Sequence, residues 1–350
     1  MDFSSANHVT DHITVLRQEA VEILLSELPP LCPSSEAPSG LSLPQGERRD
    51  QDKDQCPQIF IDGTFGRGGH SELILKNLDK NNLNNQLIGV DKDLDAVKFA
   101  QNNFSCAQDS RFKIVHSSFG EILKITKNLD CLSKISGVLL DLGVSSPQID
   151  QAQRGMSFMK DGPLDMRMDQ TQGQTCAEFL SEVDEEDLAN ILFQYGDEKF
   201  SRKIAKAITT RRVIAPILTT GDLAQIISEA VPFRDKHKHP ATRSFQALRI
   251  YINKELEDLE SFLRDIEQVL APGGKLVIIS FHSLEDRLVK NFFNLKIKGP
   301  EVPRHIPLKA HEYFKPRWKL IDKKIKPSEQ ELLNNTRARS AILRAGVFLG

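Results

Sequence analysis

Short apolar segments alternate with helical segments along much of the chain, and this alternation constrains the fold more than any other feature. The apolar segments have strand length and lie at residues 59–61, 87–90, 112–115, 137–142, 275–280 and 340–347. Strands that are separated by helices pair in parallel, because a parallel crossover needs a dozen or more residues. The sequence therefore predicts an α/β protein with a doubly wound, mostly parallel sheet.

The strand pattern stops between about residues 147 and 240, where only helical patterns occur. A single long helix is then predicted from Phe245 to Leu270, and the strand pattern follows it. We therefore predict an inserted all-helical domain. The predicted divisions are a lead-in and helix at 1–28, a flexible insertion at 29–56, the first part of the sheet domain at 57–148, the helical domain at 149–240 and the second part of the sheet domain at 241–350.

Composition limits the classes of function. The chain has 46 basic and 48 acidic residues, so its net charge of −2 does not indicate a polyanion partner. Locally, residues 202–212 hold five basic and no acidic side chains, and residues 296–326 hold ten and three. No apolar segment reaches the roughly 18 residues of a membrane span, and the first residues do not form a signal peptide. The five scattered cysteines argue against disulfides or a zinc site and favour the cytoplasm.

A glycine-rich turn follows the first predicted strand. It runs from Asp62 to His70 as Asp-Gly-Thr-Phe-Gly-Arg-Gly-Gly-His, and a helix is predicted from about Ser71. Glycines in such a turn allow positive φ angles and let the backbone approach a ligand closely. Asp91 ends the next strand, where a carboxylate can hold ribose hydroxyls, and Asp141 ends the fourth strand. Together these residues predict a site for a nucleotide-type cofactor.

Two cofactors fit this pattern, a dinucleotide and S-adenosylmethionine. A dinucleotide pyrophosphate prefers a Gly-x-Gly-x-x-Gly turn, whereas Phe65, Arg67 and His70 interrupt the glycine spacing here. The acidic residue directly before the turn, Asp62, suits a ligand that carries an ammonium and a sulfonium. The residues favour S-adenosylmethionine, with the dinucleotide as the alternative, and the scattered histidines offer no metal-ligand set.

Several motifs together resemble one family. They are Asp-Gly-Thr-Phe-Gly-Arg-Gly-Gly-His-Ser at 62–71, Gly-Val-Leu-Leu-Asp-Leu-Gly-Val-Ser-Ser-Pro-Gln at 137–148, Ile-Ser-Phe-His-Ser-Leu-Glu-Asp-Arg at 279–287, and further segments at 12–16, 154–168, 239–246 and 337–340. The chain resembles the ribosomal RNA small subunit methyltransferase H family, which methylates N4 of a cytidine in small-subunit rRNA. The resemblance implies a Rossmann-like class I methyltransferase fold, S-adenosylmethionine as the methyl donor, no metal, and a target in the decoding centre of 16S rRNA.

The resemblance also implies which residues bind the donor. They are Gly68, Gly69, His70, Asp91, Phe119, Asp141 and Gln148. The chemistry agrees, since a glycine backbone admits the methionine part, a carboxylate takes the ribose, and an aromatic ring offers an apolar wall to adenine. Taken singly, His70 could instead cap its helix, and Phe119 could belong to the core.

The expected acceptor atom, N4 of cytosine, is a poor nucleophile because its lone pair is delocalised into the ring. A catalyst must accept hydrogen bonds from the amine and hold it in line with the methyl group. The loop at 144–148 resembles the Ser-Pro-Pro-aromatic loop of cytosine-N4 DNA methyltransferases, with Gln148 in place of the second proline. We predict Ser146, Pro147 and Asp141 as catalytic residues, with the Ser146 hydroxyl and neighbouring carbonyls as amine acceptors.

The remaining predictions concern the substrate. Residues 154–168 are too polar and too glycine-rich for a core, so we predict a lid, with an ordered connector as the alternative. The helical domain and the basic segments would contact phosphates, and the target cytidine would be flipped or presented on structured RNA. The predicted partner is small-subunit rRNA within an assembled or nearly assembled subunit, and a homodimer is left open. Two other functions remain open, a noncatalytic ribosome-assembly factor and a dinucleotide-dependent oxidoreductase.

Overall fold

The computed structural model describes residues 14–26, 57–78, 84–232, 239–299 and 314–350. The strands are β1 Ile59–Asp62, β2 Gln86–Asp91, β3 Phe112–His116, β4 Ile135–Asp141, β5 Leu270–Ser280, β6 Trp318–Ile325 and β7 Ile342–Phe348. The helices are α1 Arg17–Leu25, α2 Gly69–Asn77, α3 Leu94–Asn102, α4 Ile122–Asn128, α5 Ser146–Asp150, α6 Cys176–Glu182, α7 Glu185–Gly196, α8 Ser201–Ile214, α9 Thr220–Ala230, α10 Thr242–Asn253, α11 Glu255–Val269, α12 Ser283–Lys298 and α13 Glu329–Asn334. The predicted insertion at 29–56 lies outside the described residues. None of these helices is long and apolar enough to cross a membrane.

The strands of the described residues form one sheet in the order β3-β2-β1-β4-β5-β7-β6. The strands from β1 to β5 pair in parallel, and β7 runs antiparallel to both of its neighbours. Because β1 lies between β2 and β4, the chain winds outwards from β1 in both directions. In such doubly wound sheets the ligand crevice lies at the carboxyl ends of the strands beside this reversal. The predicted fold class, a mostly parallel α/β sheet with an inserted helical part, is confirmed.

Three apolar clusters form the core. Alternate residues of β4 point to opposite faces of the sheet: Val138 and Leu140 join helices α4, α11 and α12 on one face, and Leu139 joins α1, α2 and α3 on the other. The third cluster lies within helices α6 to α10, away from the sheet, with Leu192 and Ile204 fully buried in it. The inserted helices thus have a core of their own.

The single long helix predicted from Phe245 to Leu270 is wrong. The structure has two helices, α10 and α11, which are separated at Lys254, where the backbone is left-handed with φ 53°. Phe245 packs in the helical cluster, whereas Leu259 packs against the sheet. The two apolar faces serve different cores, so the helix axis must change direction between them. The domain limits at 148 and 240 stay predictions, and this packing favours placing the second limit at Lys254.

Strand β6 was not predicted, because its sequence is rich in lysine and was interpreted as a basic surface cluster. It lies at the edge of the sheet beside β7, and charged side chains are common on edge strands because they discourage pairing with other chains. Its first residue, Trp318, is 1% exposed and packs 5.4 Å from the ring of Phe348. That one aromatic residue anchors the strand.

Candidate active site

A cleft opens at the carboxyl ends of the parallel strands, beside the reversal at β1. We call one side of the cleft the β2 side; it is formed by the glycine turn, Asp91 and Phe119. The other side, the β5 side, is formed by the loop after β4, Phe281 and Arg337. Asp141 lies between the two sides. The predicted site residues that line it are Gly69, His70, Asp91, Phe119, Asp141, Ser146 and Gln148. The two other predicted residues, Gly68 and Pro147, lie beside lining residues but not in the lining itself.

The glycine turn is packed too tightly for side chains. Gly68, which precedes α2, has φ 74°, and a Cβ atom there would come within 2.8 Å of the ring of Phe65. A Cβ at Gly69 would overlap the hydroxyl of Thr14. Both positions therefore exclude a side chain: Gly69 presents backbone to the cleft, and Gly68 lies behind the lining.

Asp62 anchors this turn from below. Its carboxylate accepts hydrogen bonds from the Ser71 hydroxyl at 2.6 Å and from the backbone N–H of Thr64 at 3.3 Å. The side chain is 1% exposed, and burial raises its pKa to about 6 despite these hydrogen bonds. Asp62 thus links the end of β1 to the start of α2, which is a structural contact rather than a ligand contact.

Asp91 ties the glycine turn to β2. One carboxylate oxygen accepts from the backbone N–H of Gly66 at 2.7 Å, and the other accepts from that of Asp93 at 2.8 Å. Burial raises the pKa of Asp91 to about 6, against these two bonds. Each oxygen has a further lone pair, so the same carboxylate can accept hydrogen bonds from a ligand in the cleft.

Asp141 occupies the centre of the cleft. Its Oδ2 lies 3.7 Å from Nδ1 of His70, and its Oδ1 is buried with no hydrogen-bond partner among the described residues. Burial, together with the nearby carboxylates of Asp62 and Glu285, raises its pKa well above the ordinary value of an aspartate. A buried acceptor without a partner is costly, so this position suits a ligand that brings an N–H group or a positive charge.

The loop after β4 is held by Gln148, which is 6% exposed. The Gln148 side chain accepts a hydrogen bond from the backbone N–H of Ser145 at 2.9 Å and donates one to Asp93 at 2.7 Å. Helix α5 begins at Ser146, with Pro147 in its first turn. Gln148 therefore fixes the predicted catalytic loop to the turn that follows β2.

The expectation that residues 154–168 are too polar for the core is wrong. Arg154 is 4% exposed and Met166 is fully buried. The Arg154 guanidinium lies 2.9 Å from the Asp93 carboxylate and donates to the carbonyl of Met168 at 2.8 Å. The charge is buried because it is paired, a condition that no local pattern reveals. This packing favours the ordered connector, the alternative prediction, while Met168 lines the cleft and the lid stays a prediction.

Phe119 lies in the turn after β3, where it was predicted. Its half-buried ring lines the cleft and meets the ring of Phe262 edge to face, with 6.0 Å between the centroids. One side of the ring is therefore supported by the core while another part remains available to a ligand. The placement is compatible with both readings of Phe119, as a core residue and as an apolar wall.

Sequence reasoning assigned no role to several residues that line the β5 side. They are Phe281, Glu285, Glu255 and Arg337, while Asp258, which also had no predicted role, lies on the β2 side, where it pairs with Lys92 at 2.6 Å. Phe281, Glu285 and Arg337 belong to motifs that carried the resemblance, and their position beside Ser146 depends on long-range packing. Glu255, His282 and Glu285 have ligand atoms within 4.8 Å of one another. The two carboxylates have protein partners, since Glu255 pairs with Arg249 at 2.8 Å and Glu285 accepts from the backbone N–H of Phe281 at 2.8 Å, whereas His282 Nε2 lies 3.0 Å from Glu285 without a hydrogen bond.

The residues present fit S-adenosylmethionine. Its positive charge suits a cleft lined by the carboxylates of Asp91 and Asp141, and its ribose hydroxyls match the spare lone pairs of Asp91. The glycine turn supplies backbone where Cβ atoms would collide with the protein. The donor set of the β2 side is thus acidic and polar, as a cationic nucleoside requires.

A doubly wound sheet with this glycine turn after β1, and with carboxylates in the cleft after β2 and β4, is the arrangement of a Rossmann-like methyltransferase. A model of the MraW methylase family matches residues 9–347, and the chain belongs to that family. One curated relative, from Marinomonas sp. (strain MWYL1), is a ribosomal RNA small subunit methyltransferase H; it is 52% identical over 287 residues, which cover 82% of this chain and 89% of the relative. The predicted family and the predicted cofactor, S-adenosylmethionine, are confirmed.

Solved structures of distant proteins also match. An rRNA methylase from Streptococcus thermophilus is 9% identical, with a TM-score of 0.36 over 84% of this chain and 88% of that one. A candidate methyltransferase from Streptococcus mutans in complex with SAH is 12% identical, with a TM-score of 0.34 over 83% and 89%. Overlap at this level is too loose for a comparison of residues.

Proposed function

We propose that the chain transfers a methyl group from S-adenosylmethionine to N4 of a cytidine in the decoding centre of small-subunit rRNA, in the cytoplasm. The observation that carries the proposal is the unpartnered Oδ1 of Asp141, between the glycine turn and the Ser146 loop. A buried acceptor at that place suits an amine that must meet a methyl donor. The name of the relative at 52% identity supports rRNA of the small subunit as the substrate.

The β2 side would hold the donor. The glycine-turn backbone and His70 would contact its methionine part, Asp91 its ribose and Phe119 its adenine. Bound there, S-adenosylmethionine supplies a methyl group on a positively charged sulfur. The neighbouring protein contacts fix Asp91 in place before any ligand arrives, and such preorganisation lowers the cost of binding.

The β5 side would hold and activate the amine. The Ser146 hydroxyl and the Asp141 carboxylate would accept the two N–H bonds of N4, which turns the lone pair towards the methyl group. As the N–C bond forms and the S–C bond breaks, N4 must lose one proton, and Asp141 would take it. The raised pKa of Asp141 makes its carboxylate a stronger proton acceptor than an ordinary aspartate. Pro147 would keep the loop carbonyls in position.

The cysteines support an amine target over a ring carbon. Methylation at C5 of a pyrimidine requires a thiolate that adds to the ring and activates the carbon. Within the described part of the chain, Cys106, Cys131 and Cys176 all lie outside the cleft lining. Burial also raises the pKa of the Cys131 and Cys176 thiols, so both stay protonated.

The experiment is transfer of labelled methyl from S-adenosylmethionine to unmethylated small subunits and to naked rRNA. We expect label in the RNA of the subunits with the wild type, and a loss of about 100-fold or more with Asp141→Asn, the scale of removing a general base. Binding of the protein to subunits without transfer of label would instead support a noncatalytic assembly factor. Membership of a methylase family already argues against the dinucleotide-dependent oxidoreductase.

A further inference from the structure

We propose that Phe281 and Arg337 form the subsite that holds and identifies the target base. Phe281 stacks on the flipped cytosine, and Arg337 donates hydrogen bonds to N3 and O2 on its pairing edge. Both residues line the cleft on its β5 side, opposite Asp91 and Phe119. The inference rests on the proposed function and adds to it the groups that distinguish cytosine from uracil.

Phe281 is placed like a stacking platform. It follows β5 directly, its half-buried ring lines the cleft, and its Cδ2 atom lies 3.5 Å from the point where Gly143 would carry a Cβ. Gly143 has φ 103°, so the loop before Ser146 packs closely on this ring. Glu285, 2% exposed, accepts a hydrogen bond from the backbone N–H of Phe281 at 2.8 Å. The ring is therefore fixed from behind and open towards the cleft.

Arg337 reaches the predicted catalytic loop from the far end of the chain. Its guanidinium donates to the hydroxyl of Ser146 and, at 2.9 Å, to the carboxylate of Asp150. Its backbone is held by Asn335, which accepts from the N–H of Arg337 at 3.1 Å, and by the fully buried Ala338. The side chain itself is 44% exposed. A fixed backbone thus carries an accessible guanidinium to the mouth of the cleft.

The contact with Ser146 determines which part of the substrate Arg337 can meet. If the Ser146 hydroxyl accepts a hydrogen bond from N4, the guanidinium bonded to that hydroxyl lies beside the atoms next to N4. In cytosine these are the acceptor N3 and then the acceptor O2. Arg337 uses two of its five N–H groups on Ser146 and Asp150, so within the described contacts it has donors left for this edge.

The arrangement selects cytosine by its hydrogen-bonding pattern. Uracil carries a hydrogen on N3, which would point at the guanidinium donors, and has a carbonyl in place of the amine. A site built to donate to a base edge rejects a base that lacks the acceptor, because its polar groups are left unpaired. The planar fork of arginine fits two adjacent acceptors, whereas lysine offers a single point charge.

Stability does not account for the Arg337 contacts. Asp150 is 43% exposed and Arg337 is 44% exposed, and ion pairs this open to solvent contribute little to folding. The neighbouring Arg339 lies in the same turn, is exposed, and makes no ion pair or hydrogen bond through its side chain among the described residues. It provides a control of equal charge that does not line the cleft.

The test measures nucleoside binding to the full-length enzyme saturated with S-adenosylhomocysteine. Cytidine, uridine and 3-deazacytidine, which has C–H in place of N3, are titrated by ligand-observed NMR. We expect the wild type and Arg339→Gln to bind cytidine about tenfold or more tightly than 3-deazacytidine, the discrimination of a good bidentate contact. Arg337→Gln and Arg337→Lys lose that preference. Phe281→Leu weakens the binding of all three nucleosides about tenfold, the scale of one base stack, while Phe281→Tyr keeps the wild-type affinity.

A second readout uses small subunits. Arg337→Gln and Phe281→Leu raise the KM for subunits about tenfold, while their Kd for S-adenosylmethionine stays at the wild-type value. A wild type that does not distinguish cytidine from 3-deazacytidine, an Arg337→Gln that keeps the preference, or unchanged KM values would each overturn the inference. A wild type that transfers no methyl group to subunits would instead contradict the proposed function, so the two failures are distinguishable.

Discussion

Gln148 and Asp93 are 55 residues apart in sequence, yet the amide of Gln148 donates to the buried carboxylate of Asp93 at 2.7 Å. The same carboxylate pairs with Arg154 at 2.9 Å. One acidic side chain thus joins three segments: the turn after β2, the loop predicted to hold the amine, and the connector to the inserted helices. Asp93 is 5% exposed, and Gln148 and Arg154 share its Oδ2, so loss of the Gln148 side chain removes one of two partners of that oxygen and leaves the backbone N–H of Ser145 unpaired.

Gln148→Met tests this connection. The substitution keeps the approximate size of the side chain but removes both of its hydrogen bonds, and a buried group left unpaired costs about 1–3 kcal/mol. We expect the free energy of unfolding to fall by that amount and the affinity for S-adenosylmethionine to fall with it. Denaturant unfolding and calorimetric titration measure the two. Gln151→Met, on an exposed side chain one turn later, serves as the control, and equal behaviour of the two variants would remove Gln148 from the site.

Asp91→Asn tests the ribose contact and the support of the glycine turn together. Asparagine keeps one acceptor oxygen, so it cannot accept from both Gly66 and Asp93 as the carboxylate does. We expect the affinity for S-adenosylmethionine to weaken by about 1–3 kcal/mol, as measured by calorimetry. The exposed Asp130→Asn, far from the cleft lining, is expected to leave the affinity unchanged.

Asp62 makes stability depend on pH. Its pKa is raised to about 6 in the folded protein, above the value of about 3.9 expected for the unfolded chain, so the folded state binds the proton more tightly. The stabilisation from this group is therefore absent at pH 8 and grows as pH falls through about 6. Between pH 8 and pH 5 it amounts to about 1 kcal/mol. We expect the difference in unfolding free energy between the wild type and Asp62→Asn to change by that amount, in favour of the wild type at pH 5; a constant difference would contradict the assignment.

The basic face of α8 is the predicted contact with RNA phosphates. The structure distinguishes a basic side chain of α8 that bonds to the protein from others that are exposed. Arg212 donates to the carbonyls of Leu180 and Val183 at 2.8 and 2.6 Å, so it supports the end of α6. Lys203 and Lys206 are exposed along a shallow groove between α8 and α9. A test of RNA binding should therefore reverse the charge of these two lysines rather than that of Arg212.

Lys203→Glu with Lys206→Glu is expected to weaken binding to small subunits and to reduce its salt dependence by about one unit of slope per lost phosphate contact. Affinity for S-adenosylmethionine should not change. The control reverses the charge of Lys124 and Lys127, an exposed pair with the same spacing on α4. If both double variants give the wild-type salt line, the face of α8 is solvated surface and not a binding surface.

The sequence predicted the parts of the fold that depend on local patterns. Short apolar segments between helical segments located the parallel strands, and the glycine turn marked the edge at which the cleft opens. Local patterns could not reveal the break at Lys254, because the apolar spacing continues through it while the packing partner changes. They also could not bring Arg337 to Ser146, since that contact joins residues 191 positions apart. The residues proposed to hold the donor were thus predictable from the sequence, and most of those proposed to hold the base were not.

The most direct test of the central claim identifies the methylated nucleoside. Small subunits that lack the modification are incubated with the enzyme and S-adenosylmethionine, the rRNA is digested, and the nucleosides are separated by chromatography and mass spectrometry. We expect N4-methylcytidine as the new nucleoside, formed by the wild type and reduced about 100-fold or more with Asp141→Asn. A methyl group found on a ring carbon, on a ribose oxygen or on a base other than cytosine would contradict this expectation.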